Sequence, residues 1–366
     1  MRILVSGMVA GDPFQGGATW AVAQYVLGFR RLGHDVVVVE PVDRVDARIA
    51  RYFEHVRGSF ELDAALLVRG TRTTAGIPYG ALRAFARDAD VLVNISGMLR
   101  DPALLEPIPV RVYLDLDPAF NQLWHEQEAL DVGFDGHTHF VTVGTAVDTT
   151  ECDVPTAGHG WLSTLPPVVL DRWPPADGIV HDALTTVGNW RSYGSLTRDG
   201  VLYGQKAHSL RGLIDLPART DERFLLALAI HPDESADLSA LAENGWQLAD
   251  PADAAGTPEA YRRFVRGSRA ELAVAKSGYV VSRCGWFSDR SACYLASGRP
   301  VLAQDTGFGR ALPTGEGLLA FETVDEALAG IEELRSDYSR HRGAARAIAE
   351  EHLDSDGVLD RLLACL

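Results

Sequence analysis

Apolar positions along the chain fall into short, unbroken runs separated by stretches with helical spacing, and this alternation repeats. Near the N-terminus "RILVSG" is the kind of run that a strand buried on both faces requires, "QGGATWAVAQYVLGFRRLGH" spaces its apolar residues as an amphipathic helix does, and "DVVVVEP" is a second buried run. The order predicts a β-α-β unit, with Gly33 where a helix C-cap glycine belongs. Further strands are predicted at "DVLVNIS" (90–96), "VRVYLDL" (110–116) and "HFVTVG" (139–144), with "YGALRAFARDA" as an intervening helix. From 164 to 182 the pattern lapses into "STLPPVVLDRWPPADGIVH", dense in proline and without a period, as an interdomain connection is. The alternation then restarts with "ALTTVGNW", the helix-like "KAHSLRGLIDLP", "FLLALAI", "GWQLADP", the helix-like "YRRFVRGSRAELAVAKS", the strand-like "GYVVSRCG", a helix in "RSACYLAS", "RPVLAQD" and a helical pair over 324–350. The predicted fold class is α/β: two Rossmann-like doubly wound parallel-sheet domains facing across a cleft. Residues 1–170 form the N-terminal domain, 171–182 the linker, 183–345 the C-terminal domain and 346–366 a closing helix.

Composition narrows the function classes. The 366 residues are 46% hydrophobic and 23% charged, the profile of an ordinary globular protein with room for two cores. With 50 acidic against 34 basic residues the formal net charge is -16, which predicts no nucleic-acid partner, since such a surface repels a phosphate backbone. A single phosphorylated metabolite stays admissible, because a few Arg, Lys and helix N-termini build a local anion site. Cys152, Cys284, Cys293 and Cys365 lie far apart with no C-x-x-C, which predicts neither a disulfide framework nor a bound metal and fits a cytoplasmic protein. The start "MRILVSGMVAGDPF" is too short in apolar residues for an export signal, and no membrane span is predicted.

The stretch "GWFSDRSACYLASGRPV" (285–301) carries the most chemistry. Ser288 is placed to cap the helix that follows, whose unpaired N–H groups then face the carboxyl edge of the sheet, where open α/β folds bind ligands. Arg283 and Arg290 bracket the turn as charge-assisted donors to a diphosphate. The competing reading is a simple cap with arginines paired to surface acids.

This order, continued through "LAQDTGF" and "LPTGEGLLAFETVDEALAGIEEL", resembles the C-terminal signature of GT-B fold glycosyltransferases of the family 4 and family 1-like kind. Their consensus runs Glu-Gly-Phe-Gly, four residues, then Glu-Ala-Met-Ala-x-Gly-x-Pro-Val. The resemblance is strong between about 271 and 334. It departs where both consensus glutamates belong, because Gly285 and Cys293 stand there. The resemblance implies a nucleotide-diphosphate sugar as co-substrate, no other cofactor, no metal, and donor contacts from Ser288, Asp289, Arg290 and Ser291 at the helix start. It adds Asp305 and Thr306 in "AQDTGF" on the sugar, and Gly188, Asn189, Trp190 and Lys206 on the phosphates and base. It places Gly16, Gly17 and Trp20 beside a small-molecule acceptor. Candidate bases are Asp117, Asp12 and His137. Asp115 and Asp117 in "YLDLDP" imitate the D-x-D metal motif of the other glycosyltransferase fold, but they fall in the first domain and not beside the donor signature.

The expected activity is therefore metal-independent transfer of a sugar from a nucleotide-diphosphate sugar to a small-molecule acceptor. Two alternatives remain open: a catalytically idle GT-B-like protein that binds a sugar nucleotide or helps a partner, and a nicotinamide-dependent oxidoreductase with Glu40 as the ribose ligand. The latter lacks the G-x-G-x-x-G turn.

Overall fold

In a computed structural model covering residues 1–366, fourteen of the sixteen strands, with their connecting helices, build two sheets. The first contains β1 (Arg2–Ser6), β2 (Asp35–Val42), β3 (Ala64–Val68), β4 (Thr74–Gly76), β5 (Val91–Ile95), β6 (Val110–Asp115), β7 (His139–Thr142) and β8 (Trp161–Ser163), in the order β4-β3-β2-β1-β5-β6-β7-β8. Only β4 runs antiparallel to its neighbour. The second contains β9 (His181–Asn189), β12 (Phe224–Ala229), β13 (Gln247–Leu248), β14 (Ser268–Ala273), β15 (Val301–Gln304) and β16 (Leu318–Phe321), all parallel, in the order β13-β12-β9-β14-β15-β16. β10 (Leu196–Arg198) and β11 (Val201–Tyr203) form a separate hairpin. Both sheets are doubly wound, as the alternating pattern predicts, and each reverses its strand order beside its first strand, the place where such folds take ligands.

One expectation is reversed. "SRAELA", read within a helix, is β14 at the centre of the second sheet, and "SGYVVS", read as a strand, is the short helix Ser277–Ser282. The helix before β14 ends at Gly267, and five of the six residues of β14 are buried between β9 and β15, so tertiary burial overrides the helix propensity of Ala, Glu and Leu.

The first sheet ends at Ser163 and the second begins at His181. Beyond the second sheet the chain runs through the helices Val324–Ser336 and Tyr338–Ile348, a π-helical turn over Ala349–Leu353 and the helix Ser355–Ala364. Residue 346 therefore falls inside a helix. The last helix crosses back to the first domain: Val168 N–H donates to the Leu353 carbonyl at 2.8 Å, Ser355 N–H donates to the Val168 carbonyl at 2.9 Å, and Leu359 packs on Gly28.

The largest hydrophobic core runs through both halves, from Ile3 and Trp20 to Tyr261, Phe287 and Leu359. Trp20 and Trp173 meet edge to face at 4.9 Å between centroids, and the Trp20 indole N–H donates to the Pro258 carbonyl at 2.8 Å. No helix is long and apolar enough to cross a membrane.

The docking of the last helix yields a test. A Cβ at Gly28 runs into Leu359 and Ser355. Gly28→Val should therefore lower stability by about 1–3 kcal/mol through overpacking, read as the shift of the urea midpoint. An unchanged midpoint contradicts the helix seating described here.

Candidate functional site

The C-terminal ends of the strands of the second sheet gather a buried charged cluster. Glu271, in the middle of β14, is completely buried, and one carboxylate oxygen accepts from the Arg290 Nε. Arg290 lies in the first turn of the helix Asp289–Ala296, which begins there because the Ser288 hydroxyl accepts the Arg290 backbone N–H at 3.2 Å, as the cap expectation requires. The guanidinium also donates from Nη1 to the Val187 carbonyl at 3.3 Å, where β9 ends. Its Nη2 and the second oxygen of Glu271 are buried with no partner. Lys206 opens the helix Lys206–Arg211, is 7% exposed and donates from Nζ to the carbonyl of Val274. Burial, and after it the neighbouring guanidinium of Arg290, push its ammonium well below the usual lysine value. Gly188 has φ +151°, which side chains rarely adopt, and the space a Cβ there would enter holds only the Arg290 Nη1, at 3.8 Å. Three predicted donor residues, Gly188, Lys206 and Arg290, are thus brought together, with Asn189 exposed at the edge. The cluster leaves one donor, the Arg290 Nη2, without a partner, with space for a Cβ beside it at Gly188.

Other expectations for the donor side need correction. Trp190 is buried and gives its indole N–H to Asp237 at 2.9 Å, so its ring is not free to stack on a base. Arg283 sits at the surface, paired with Asp305 at 3.1 Å and Glu322 at 2.9 Å, apart from the Arg290 cluster. Asp305 is turned inward on its own loop, accepting the Gly307 N–H at 2.8 Å, and Thr306 is buried with its hydroxyl on the Trp286 carbonyl. Ser291 is buried within the helix. Asp289, whose carboxyl burial raises against the pull of Arg290, lines a small interdomain cavity with Tyr25, Leu116, Val143 and Trp286. A carboxylate at the first helical position already uses the helix dipole, so the anion site rests on side-chain cations more than on helix N–H groups.

Gly285 and Cys293 both abut the first domain. Gly285 has φ +76°, a Cβ on it collides with Thr145, and its carbonyl accepts the Thr145 hydroxyl at 3.0 Å. Cys293 lies against Gln24, with 3.6 Å between Nε2 and Sγ. Neither position has room for a glutamate.

The predicted acceptor residues also face protein. Gly16 packs on the Thr257 carbonyl, Gly17 on the Tyr261 ring and Trp20 under Pro258, so these three seal the domain interface and leave no space there for an acceptor. Glu40 is not a free ribose ligand, because its buried carboxylate accepts the N–H groups of Val9 at 2.9 Å, Ala10 at 2.8 Å and Gly11 at 2.9 Å. Beside it, at the carboxyl edge of the first sheet, Asp12 lines an open cleft of about 390 Å³ with Met8, Asp43, Arg44, Arg69 and Met98. His137 is structural: Nδ1 bonds the Phe134 carbonyl at 3.1 Å, Nε2 meets the Asn94 amide at 3.0 Å, and burial lowers its pKa.

Asp115 and Asp117 separate in role. Asp115 is fully buried and accepts from Asn121 at 2.7 Å, Gln122 at 2.9 Å, Thr142 at 2.9 Å and the Asp117 N–H at 3.0 Å. Asp117 reaches across to the second domain, where its Oδ1 accepts from Lys276 at 2.8 Å, Tyr193 at 2.6 Å and Tyr279. Burial alone would raise its carboxyl, but the Lys276 ammonium and the three bonds outweigh burial and hold it below the ordinary carboxylate value. Lys276, Tyr279 and Glu271 escaped the sequence reading. A usable signal existed for the first: Lys206 and Lys276 are the only lysines in the chain, and Lys276 reaches across to the first domain.

The fold is shared with solved glycosyltransferases. An α-glucosyltransferase in complex with UDP-glucose and DNA containing an abasic site matches at 13% identity and a TM-score of 0.66, over 100% of this chain and 99% of that one. The same description with UDP and a 13-mer DNA containing a HMU base matches at 12% identity and a TM-score of 0.63, over 100% and 98%. HepE from Anabaena in complex with UDP and glucose matches at 12% identity and a TM-score of 0.58, over 100% of both chains. No family model matches the chain, and no curated protein does. The chain has the GT-B fold of two facing Rossmann-like domains, as the resemblance implied. The expected partner set, a small molecule with nucleic acid excluded, is overturned by the DNA held in proteins of this fold. Net charge averages over the whole surface, whereas a nucleic acid meets one face.

The Asp117–Lys276 clasp has a measurable pH signature. A carboxyl held below its unfolded value contributes stability above the ordinary carboxylate range, and that contribution disappears as the pH falls through the folded value. Lys276→Met should cost about 1.5–3 kcal/mol in urea unfolding at neutral pH, the worth of a hydrogen bond to a charged group, and much less in acid. A stability gap that is the same at both pH values contradicts the clasp.

Proposed function

We propose that the protein is a glycosyltransferase that takes a sugar from a nucleoside-diphosphate donor and passes it to an acceptor hydroxyl. The observation that carries this reading is the buried guanidinium of Arg290 with an unpartnered Nη2 beside Lys206 and the open space at Gly188. The GT-B fold supports it, because the similar structures hold UDP or UDP-glucose.

The donor diphosphate lies against Arg290 and Lys206, and the sugar points toward the first domain. As the glycosidic bond breaks, negative charge grows on the leaving diphosphate, and the two cations stabilise it in a site from which water is excluded. No divalent ion is needed in this scheme, since the carboxylates of Asp115 and Asp117 are committed to internal bonds. The acceptor enters by the cleft of the first sheet. Asp12 is the carboxylate available there to take a hydroxyl proton, whereas Asp117, neutralised by Lys276, is a poor base and serves to hold the domains together.

Thermal shift against UDP, GDP, ADP and dTDP tests the donor site. One of them should raise the melting temperature, and its sugar conjugate should be hydrolysed slowly, with or without EDTA. Arg290→Ala is a poor probe, because it strands the buried charge of Glu271 at a cost of about 3–5 kcal/mol. Arg290→Lys keeps the charge but loses the fork, and should weaken the diphosphate about tenfold, or roughly 1.4 kcal/mol. If none of the four stabilises the protein, or the variant binds equally well, the donor site is misplaced.

A further inference from the structure

We propose that the donor cradle is proton-coupled: Lys206 is a neutral amine in the empty protein and becomes an ammonium when a nucleoside diphosphate binds, so that binding takes up one proton from solvent. The inference rests on the proposed reading of this cradle as a diphosphate site and adds to it a pH control.

The charge balance of the empty cradle carries it. Three elements present charged groups to Lys206. The helix Asp289–Ala296 presents Arg290, whose guanidinium is never deprotonated. β14 presents Glu271, the one carboxylate facing Lys206, and its bonded oxygen is already taken by Arg290. The turn after β14 presents Lys276, a further cation, whose own counter-ion is Asp117 on the other domain. The remaining acid of the neighbourhood, Asp289, lines the interdomain cavity with Tyr25. Lys206 therefore meets two cations and a single carboxylate, one oxygen of which is taken by Arg290 while the other makes no bond to Nζ. An ammonium has three protons to place, yet the one acceptor bonded to Nζ is the Val274 carbonyl. A neutral amine satisfies that carbonyl without adding a second buried charge beside Arg290. Burial and the field of Arg290 depress its proton affinity in the same sense.

A diphosphate reverses each of these terms. It brings at least two negative charges to the edge where Arg290 and Lys206 converge, supplies acceptors for the protons that Val274 cannot take, and makes the ammonium the favoured form. The step is a simple protonation, with amine and solvent proton giving ammonium, and no covalent bond to carbon or phosphorus changes. Wherever the pH lies between the free and the bound pKa of Lys206, the dissociation constant should rise about tenfold per pH unit, the slope for one proton taken up. Release of the product diphosphate would return the proton.

Isothermal titration in two buffers of different ionisation enthalpy, Tris and HEPES, reads the proton count directly. It is done near pH 8, where the terminal phosphate of the ligand, with a pKa of about 6, is already ionised and adds no proton of its own. UDP, GDP, ADP and dTDP are each titrated into the full-length protein, and the tightest is carried forward. The expected result is uptake of about one proton and about tenfold weaker binding per pH unit above neutrality. Lys206→Met fills the same volume without the amine, and should abolish the uptake and flatten the pH dependence while still binding weakly through Arg290. Binding by the wild type with no proton uptake overturns this inference and leaves the donor site standing. No binding of any of the four overturns the donor site and the inference with it. Should the methionine variant misfold, the wild-type proton count alone decides.

Discussion

The buried ion pair between Glu271 and Arg290 sets the terms for the second domain. A carboxylate with no solvent contact in the central strand of a parallel sheet is tolerated only if a cation is fixed against it. That requirement dictates where the helix starts, because Arg290 must leave the first turn pointing back over the sheet, and Ser288 is the residue that ends the preceding turn and caps it. It also dictates Gly188, since β9 must end in a conformation that leaves the Val187 carbonyl and the space beside Arg290 clear. The pair is nonetheless incomplete, with one oxygen and one nitrogen unsatisfied in the interior. Folding alone would select against such a half-satisfied pair.

The second constraint is the closeness of the two domains. The first-domain helix Gly16–Arg31 packs on the helix Pro258–Gly267 through Gly16, Gly17 and Trp20, and the loop after β7 hydrogen-bonds the turn at Gly285. Both positions where the resembling enzymes carry glutamates lie on this seam, one on Thr145 and the other on Gln24. A longer side chain at 285 collides with Thr145 and one at 293 with the packed face against Gln24, so glycine and cysteine follow from how the domains dock. The seam is closed at its far side by Asp117, held by three donors from the second domain.

The architecture was legible because the central strands are buried runs flanked by glycine or polar turns, and the repeat of that pattern on either side of the proline-rich stretch announces two similar domains. The cap at Ser288 followed from residue type and position. What failed shares one physical cause. Trp20, Trp190, Arg283, Asp305 and His137 each find a partner distant in sequence: Pro258, Asp237, Glu322, Arg283 and Asn94. Local sequence reports what a side chain can bind and is silent about which neighbour reaches it first. The exchange of strand and helix around Ser268–Ser282 has the same origin, since "SRAELA" is a good helix by propensity and becomes a strand through burial between β9 and β15.

Charge shows how far a whole-chain quantity reaches. An excess of sixteen negative charges keeps the molecule soluble and repels polyanions at long range, but within a Debye length of about 8 Å the local groups decide. Many exposed acids here are paired to arginines, as in the links from Arg31 to Asp356 and from Arg340 to Glu316. The two lysines of the chain are instead withdrawn from the surface, Lys206 beside the buried Arg290 and Lys276 against Asp117 of the first domain, so cations gather locally where the total hides them. The same logic removes the charge-based argument against nucleic acid, because solved proteins of this fold are in complex with DNA and total charge does not decide what one local surface binds.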